Sequence, residues 1–232
     1  MPSIELQNVN LNYPIYSNVT RSLKKHLFDK ITGGNITSKD GIFFVEALKN
    51  ISLKLNKGDR LGIQGNNGSG KTTLLRVLTG VLAPTDGLIK VDGSINAFID
   101  IHYGMNMEAT GIENIKIRCI FLGIPYKSLD SKVKEILEFS ELGKYAYMPI
   151  KTYSSGMLMR LSFSITCSIP SDIILLDEWL SVGDENFREK ANKKLHEMIT
   201  SSSIFIISTH EKSLIDNLCN KKIELSHGEI VG

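Results

Sequence analysis

The chain has 232 residues, of which 42% are hydrophobic and 22% charged, and its net charge is +2. That is enough material for one globular domain with a sizeable core, and too weak a positive field to support nucleic-acid binding by bulk electrostatics. No apolar run reaches the roughly 18 residues of a membrane helix, and Met1–Glu5 does not begin a basic segment followed by an apolar one, so neither a bilayer span nor an export signal is expected.

Cys119, Cys167 and Cys219 are too widely separated for a close metal pair or a disulfide framework, so they read as packing residues of a protein in the cytosol. In chain order, Ser3–Val9 alternates well enough for a first strand. Residues 14–45 form an insert longer than a hairpin loop, of a length usually functional or disordered. Within it, Ser22–Ile31 puts Leu23, Leu27, Phe28 and Ile31 on one stripe and Lys24, Lys25 and Lys30 elsewhere, the pattern of a short basic amphipathic helix. Glu46–Leu55 reads as another strand pair, closed by the turn Asn56–Asp59, which gives an antiparallel lobe.

Arg60–Gln64 reads as a short buried strand and Thr73–Thr79 as a helix. Between them Gly65-Asn66-Asn67-Gly68-Ser69-Gly70-Lys71-Thr72 fits the pattern G-x-x-x-x-G-K-[ST] without a mismatch. Glycines there let successive N–H groups turn inward onto phosphate oxygens, the lysine reaches the β/γ oxygens, and the Thr72 hydroxyl is a ligand for Mg²⁺. The helix that follows turns its N-terminal dipole to the same anion. A nucleoside triphosphate site is the expectation.

Lys90–Ile99 then reads as strand, turn, strand. Residues 111–147 carry helical periodicity interrupted at Gly123–Pro125 and Leu142–Gly143, which predicts two or three helices. A strand at Ile173, a helix from Phe187 to Thr200, a strand at Ile204, a helix from Lys212 to Cys219 and a final hairpin over Lys222–Val231 complete the chain. Such alternation argues for an α/β protein with a parallel sheet.

Two further segments carry chemistry. Asp177 closes an apolar strand and is expected to hold Mg²⁺, directly or through water, while Glu178 orients or deprotonates the attacking water. Thr152–Gly156 opens a helix starting at about Met157, whose first N–H groups make a second anion site around Ser155 and Gly156.

Together these landmarks resemble the nucleotide-binding subunits of ABC transporters, over essentially the whole chain. Gly65 to Thr73 matches their first motif, Ser154-Ser155-Gly156-Met157 stands where their Leu-Ser-Gly-Gly-Gln signature stands, and Asp177-Glu178 matches the second motif and its catalytic glutamate. Ser181–Asp184 stands for the D-loop, putting Asp184 at the nucleotide, and His210 for the switch histidine. The resemblance implies a P-loop NTPase fold of the ABC type with an antiparallel β lobe and a helical signature subdomain. It implies ATP and Mg²⁺ as ligands, and Lys71, Glu178 and His210 as the catalytic residues.

Thr110–Asn114, Met148–Tyr153 and the Ser-Val-Gly-Asp D-loop are similar to the polysaccharide-exporter branch that serves O-antigen, capsule and teichoic acid. That resemblance implies Tyr13, with Tyr16 second, as the aromatic stacked on adenine. It also implies a head-to-tail homodimer, in which Ser155 and Gly156 of one copy cover the ATP on Lys71 of the other. The implied partner is an integral membrane permease at the cytoplasmic face of the bacterial inner membrane, moving a lipid-linked polysaccharide, with no nucleic acid. Residues 111–125 and the amphipathic helix are expected to form the docking surface. Most family members carry a glutamine where this chain reads Phe98–Gly104, and Asp100 is the expected stand-in as a metal ligand. A single ATPase domain over 1–232 is expected, with a helical subdomain at about 105–168 and no carbohydrate-binding domain after it. Export of a drug, lipid or peptide, and a soluble ATPase acting on ribosomes or DNA, stay open as other readings.

Overall fold

The computed structural model describes residues 1–15, 36–39, 42–178 and 185–232. The amphipathic segment 22–31, Tyr16 and the D-loop residues 181–184 lie outside them. The chain forms two compact units: Met1–Ile95 with Leu175–Glu178 and Ser203–Gly232, and Asn96–Ile174 with Trp179–Ser202.

The first unit contains an antiparallel sheet of order β2-β3-β1-β5, from β1 (Ser3–Ile15), β2 (Ile36–Lys39), β3 (Ile42–Asn56) and β5 (Asp86–Asp92). β1 runs past the expected end at Val9, and β3 is one strand rather than a pair. The reason is a pair of phase changes. Ile4 and Leu6 are buried at even positions, Val9 and Leu11 at odd ones, and the register shifts between Leu6 and Val9. Asn8 (φ 49°) and Asn50 (φ 47°) take the left-handed conformation that asparagine tolerates best. Each inserts the extra residue of a bulge and returns the hydrophobic set to the same face. Side chains tie the irregular stretch: Asn10 Oδ1 accepts from Asn50 N (2.9 Å), and Ser52 Oγ accepts from Asn8 N (3.0 Å).

The other strands of this unit, which takes in β7 from Leu175 onward, run in the order β10-β9-β4-β8-β7. They are β4 (Arg60–Gln64), β7 (Ile173–Asp177), β8 (Ile204–Ser208), β9 (Lys221–Ser226) and β10 (Glu229–Ile230). β4 pairs in parallel with both β8 and β9, as the alternation of strand and helix predicts. Its Leu61 and Ile63 and all five residues of β8 are buried, the continuous apolar pattern of a strand covered on both faces. Helix α1 (Lys71–Leu78) follows β4 and starts at Lys71, two residues before the expected Thr73, with Gly70 at φ 108° as its cap.

The turn between β9 and β10 fastens this unit together. Lys49 N donates to Gly228 O (2.8 Å) and Gly228 N donates to Ser69 O (3.0 Å), so one residue links β3 to the phosphate loop. Gly228 has φ 82°, and a Cβ there would lie 2.8 Å from Ala47 O. Gly228→Ala is expected to cost about 2–4 kcal/mol through left-handed strain and overpacking, and so to lower the melting temperature by roughly 5–15 °C in a calorimetric scan.

The second unit takes in most of β6 (Ile95–Phe98) and the helices α2 (Gly111–Phe121), α3 (Leu129–Ser140), α4 (Ser155–Cys167) and α5 (Glu185–Ser201). Ile115, Cys119, Val133, Ile136, Leu161 and Ile165 are central to its core. On α5 the buried Phe187, Ala191, Leu195 and Ile199 recur every fourth residue. Phe98, Phe139, Phe163 and Phe187 meet ring to ring at 5.7 to 6.4 Å. The Thr110–Asn114 motif has a structural task here. Thr110 Oγ1 accepts from Glu113 N while Glu113 Oε2 accepts from Thr110 N, a capping box for α2, and the fully buried Asn114 exchanges bonds with the backbone of Asn106.

Cys119 and Cys167 are buried, Cys219 is half-buried, and all three thiols are free; burial pushes the Cys219 thiol up to about 11. Among the described residues no helix is long and apolar enough to cross a membrane.

Candidate active site

The site lies in the first unit, around the loop between β4 and α1. Gly65 and Gly70 both have positive φ, and a Cβ on Gly65 would run into Leu225 O and Ser69 Oγ. The loop therefore packs too closely at Gly65 for any side chain, and it is tightened from within by Ser69 N donating to Asn66 O at 3.1 Å. Lys71, only 7% exposed, donates from Nζ to Gly65 O (2.7 Å) and Asn66 O (3.0 Å). Burial pushes its ammonium below the usual lysine value, and Asp177 and Glu178 push the other way. A desolvated cation of this kind gains most from a polyanion placed beside it.

Asp177 ends β7 and is held from two directions: Thr72 Oγ1 donates to its Oδ2 at 2.7 Å, and Ser208 Oγ, at the end of β8, donates to its Oδ1. Glu178 turns sharply away from the strand at φ 63°, with its N–H on Ser208 O at 2.8 Å. Left-handed backbone at a non-glycine residue costs about 1–3 kcal/mol and persists where its surroundings impose it. Here it sends two neighbouring carboxylates to different tasks, Asp177 to the Thr72 hydroxyl and Glu178 to His210, whose Nε2 lies 3.4 Å from Glu178 Oε1.

A cavity of about 730 Å³ collects these groups: Tyr13, Asn67, Gly68, Gly70, Lys71, Thr72, Thr73, Asp177, Glu178 and His210 all line it. Val45, Glu46, Ala47 and His227 complete it, and sequence reading missed all four. Ser69 Oγ is buried with no hydrogen-bond partner among the described residues, an acceptor and donor awaiting a ligand. Thr72 and Asp177 fit Mg²⁺: their oxygens at 2.7 Å approach the edge of about 2.9 Å in an octahedron with bonds of about 2.0–2.1 Å. The residues present therefore suit a triphosphate and its metal.

The remaining predicted residues are elsewhere or outside the described set. Asp184 is outside. Asp100 (φ 47°) opens a turn in the second unit, where Tyr103 N donates to its carbonyl at 2.8 Å. Ser155 and Gly156 are also in the second unit, and α4 begins at Ser155, earlier than the expected Met157, because the Ser154 side chain caps it by accepting from Met157 N at 3.2 Å. Both residues thus belong to the first helical turn. Their N–H groups have no partner within the helix and point along its axis.

The sequence profile of the ABC transporter family matches residues 48–181. The chain is 42% identical over 231 residues to the O-antigen export system ATP-binding protein RfbE of Yersinia enterocolitica, covering 99% of this chain and 97% of that protein. It is 38% identical over 223 residues to the teichoic acids export ATP-binding protein TagH of Bacillus anthracis, covering 95% of this chain and 40% of that protein. It shares its fold, at a TM-score of 0.71 and 20% identity, with the dimeric post-hydrolysis structure of the ATP-binding cassette MJ0796 bound to ADP and Pi, over 99% of this chain and 97% of that one. With a phosphate loop, a strand-end Asp-Glu pair and a histidine assembled on that fold, the chain belongs to the ABC transporter family, as one of its ATP-binding and ATP-hydrolysing subunits.

Proposed function

We propose that this subunit binds ATP with Mg²⁺ and spends its hydrolysis on moving a lipid-linked polysaccharide, O-antigen above all, through a separate membrane permease at the cytoplasmic face of the bacterial inner membrane. The observation that carries the reading is likeness along nearly the full length of both chains to an O-antigen export ATP-binding protein, joined to the Lys71–Asp177–Glu178–His210 cavity.

The loop N–H groups from Gly65 to Thr73 and the Lys71 ammonium hold the phosphates, and Tyr13 stacks on the adenine. Thr72 and Asp177 would hold Mg²⁺, which would supply positive charge against the charge developing on the phosphate oxygens; Asp100 is the proposed stand-in for the family's glutamine. Glu178 takes a proton from the attacking water as its oxygen bonds to the γ-phosphorus and the bond to ADP breaks. His210, beside Glu178, holds the γ-phosphate.

In the dimer we propose, Ser155 of the partner subunit and Gly156 of the partner subunit present the unsatisfied N–H groups of α4 to the same phosphate, and Asp184, outside the described residues, is a proposed nucleotide contact. ATP then joins the copies and hydrolysis releases them, a population shift driven by contacts that only the γ-phosphate makes. The segment 22–31, one proposed surface for the permease, lies outside the described residues; the other is the 111–125 region. Ile120, Phe121, Leu122 and the nearby Tyr126 support it, with Phe121 and Tyr126 more than 80% exposed.

Deleting the gene should abolish surface polysaccharide and leave the lipid-linked precursor inside the cell, with the wild-type copy restoring export. Normal surface polysaccharide in the deletion strain would reject this function.

A further inference from the structure

The strand order gives the phosphate loop two flanks. β9 neighbours β4 on the side opposite to β8 and β7. The β9–β10 turn therefore reaches the loop from one flank, while Asp177, Glu178 and His210, at the ends of β7 and β8, reach it from the other. Both flanks open on the same cavity. The second flank carries the groups that meet the γ-phosphate. On the first, His227 stands with Tyr13 and Val45–Ala47: the β1–β3 register places Tyr13 opposite Val45, and Gly228, the next residue after His227, is bonded through its backbone to Lys49 and Ser69. His227 also borders a small cavity of about 80 Å³ beside Asn66–Ser69, so it lies against the tip of the loop.

The turn itself does not require a histidine. His227 (φ 48°) and Gly228 (φ 82°) are the two residues between β9 and β10, both left-handed, which is the two-residue hairpin that favours Asn-Gly or Asp-Gly. Asparagine is the commonest residue at such a position; histidine also enters the left-handed region more readily than most residues, so it fits the turn while placing an imidazole at the cavity.

We infer that His227 is a nucleotide-binding residue, its imidazole hydrogen-bonding the nucleoside part of ATP at the end of the cavity away from Glu178 and His210. The ring offers one donor and one acceptor, matching a ribose hydroxyl, which also has both. With Tyr13 on the base, it completes the nucleoside end of a site whose phosphate end is the glycine loop. This rests on the reading of the cavity as an ATP site.

His227→Asn tests it on the full chain by calorimetric titration with MgATP and with magnesium tripolyphosphate, which lacks the nucleoside. Asparagine suits the turn better, so folding stability should be equal or higher, yet it is too short to reach the ligand. MgATP affinity should fall roughly five- to tenfold and tripolyphosphate affinity by less than about twofold, the loss of one hydrogen bond at the nucleoside end. Unchanged MgATP affinity would overturn the inference, as would an equal loss for both ligands, which would put His227 on the phosphates. Lys71→Ala separates this from the wider reading: it should lose both ligands, and a wild-type chain that bound neither would reject the ATP site itself.

Discussion

Glu178→Gln should lower ATP turnover by about 10²–10⁴-fold, the span of general-base contributions, while nucleotide still binds. The amide keeps the size and the left-handed backbone of the glutamate and loses its charge and with it the capacity to accept a proton. Binding should survive because the groups proposed to hold the phosphates and metal are held without Glu178, Lys71 by the loop carbonyls and Thr72 by Asp177, whereas the Glu178 side chain meets His210. Removing a negative charge beside a polyanion, if anything, strengthens binding. Phosphate release and fluorescent-nucleotide titration measure the two halves separately. Turnover within tenfold of wild type would show that another group takes the proton.

Gly156→Asp should reduce ATP hydrolysis by about 10²–10³-fold, comparable to the loss of a donor aimed at a reacting oxyanion. The fold has no objection to the change. A Cβ at Gly156 meets nothing nearer than Ser154 Oγ at 3.9 Å, and an acidic side chain in the first turn of α4 complements the helix dipole. The melting temperature should therefore hold while a carboxylate replaces an open approach to the γ-phosphate, a like-charge juxtaposition that costs several kcal/mol. Binding of ATP to the separate protomer should be unaffected, because Lys71 and the loop are intact. Equal rates for wild type and variant would remove α4 from the account.

How much of this was legible in the sequence depended on the range of the constraint. The phosphate loop could be read because its chemistry is local: the residues that turn the backbone and those that hold the anion are neighbours. Asp177 and Glu178 were legible as a pair with different tasks, but what points the two side chains apart was not, since it comes from the left-handed turn at Glu178 and from Ser208, a residue of the adjacent strand. The helices of the second unit followed from periodicity and from breaks at Gly123–Pro125 and Leu142–Gly143. Strands fared worse where the period itself changed phase. At Asn8 and Asn50 a bulge shifts the buried positions by one, and a period-two reading takes that for an end or a turn. His227 carried no local signal, because histidine is among the residues that fill a left-handed turn position readily. Its place at the cavity depends on β9 pairing with β4, a contact between segments about 160 residues apart in sequence, the separation seen in the bond from Arg60 N to Asn220 Oδ1.

That two copies share each nucleotide is tested most directly by sedimentation of the Glu178→Gln protein with and without MgATP. A shared site requires a monomer without nucleotide, a dimer with MgATP, and a monomer again, still holding ATP, when Gly156→Asp is added to the same chain. A Glu178→Gln protein that bound MgATP and stayed monomeric, or a dimer indifferent to Gly156→Asp, would contradict it.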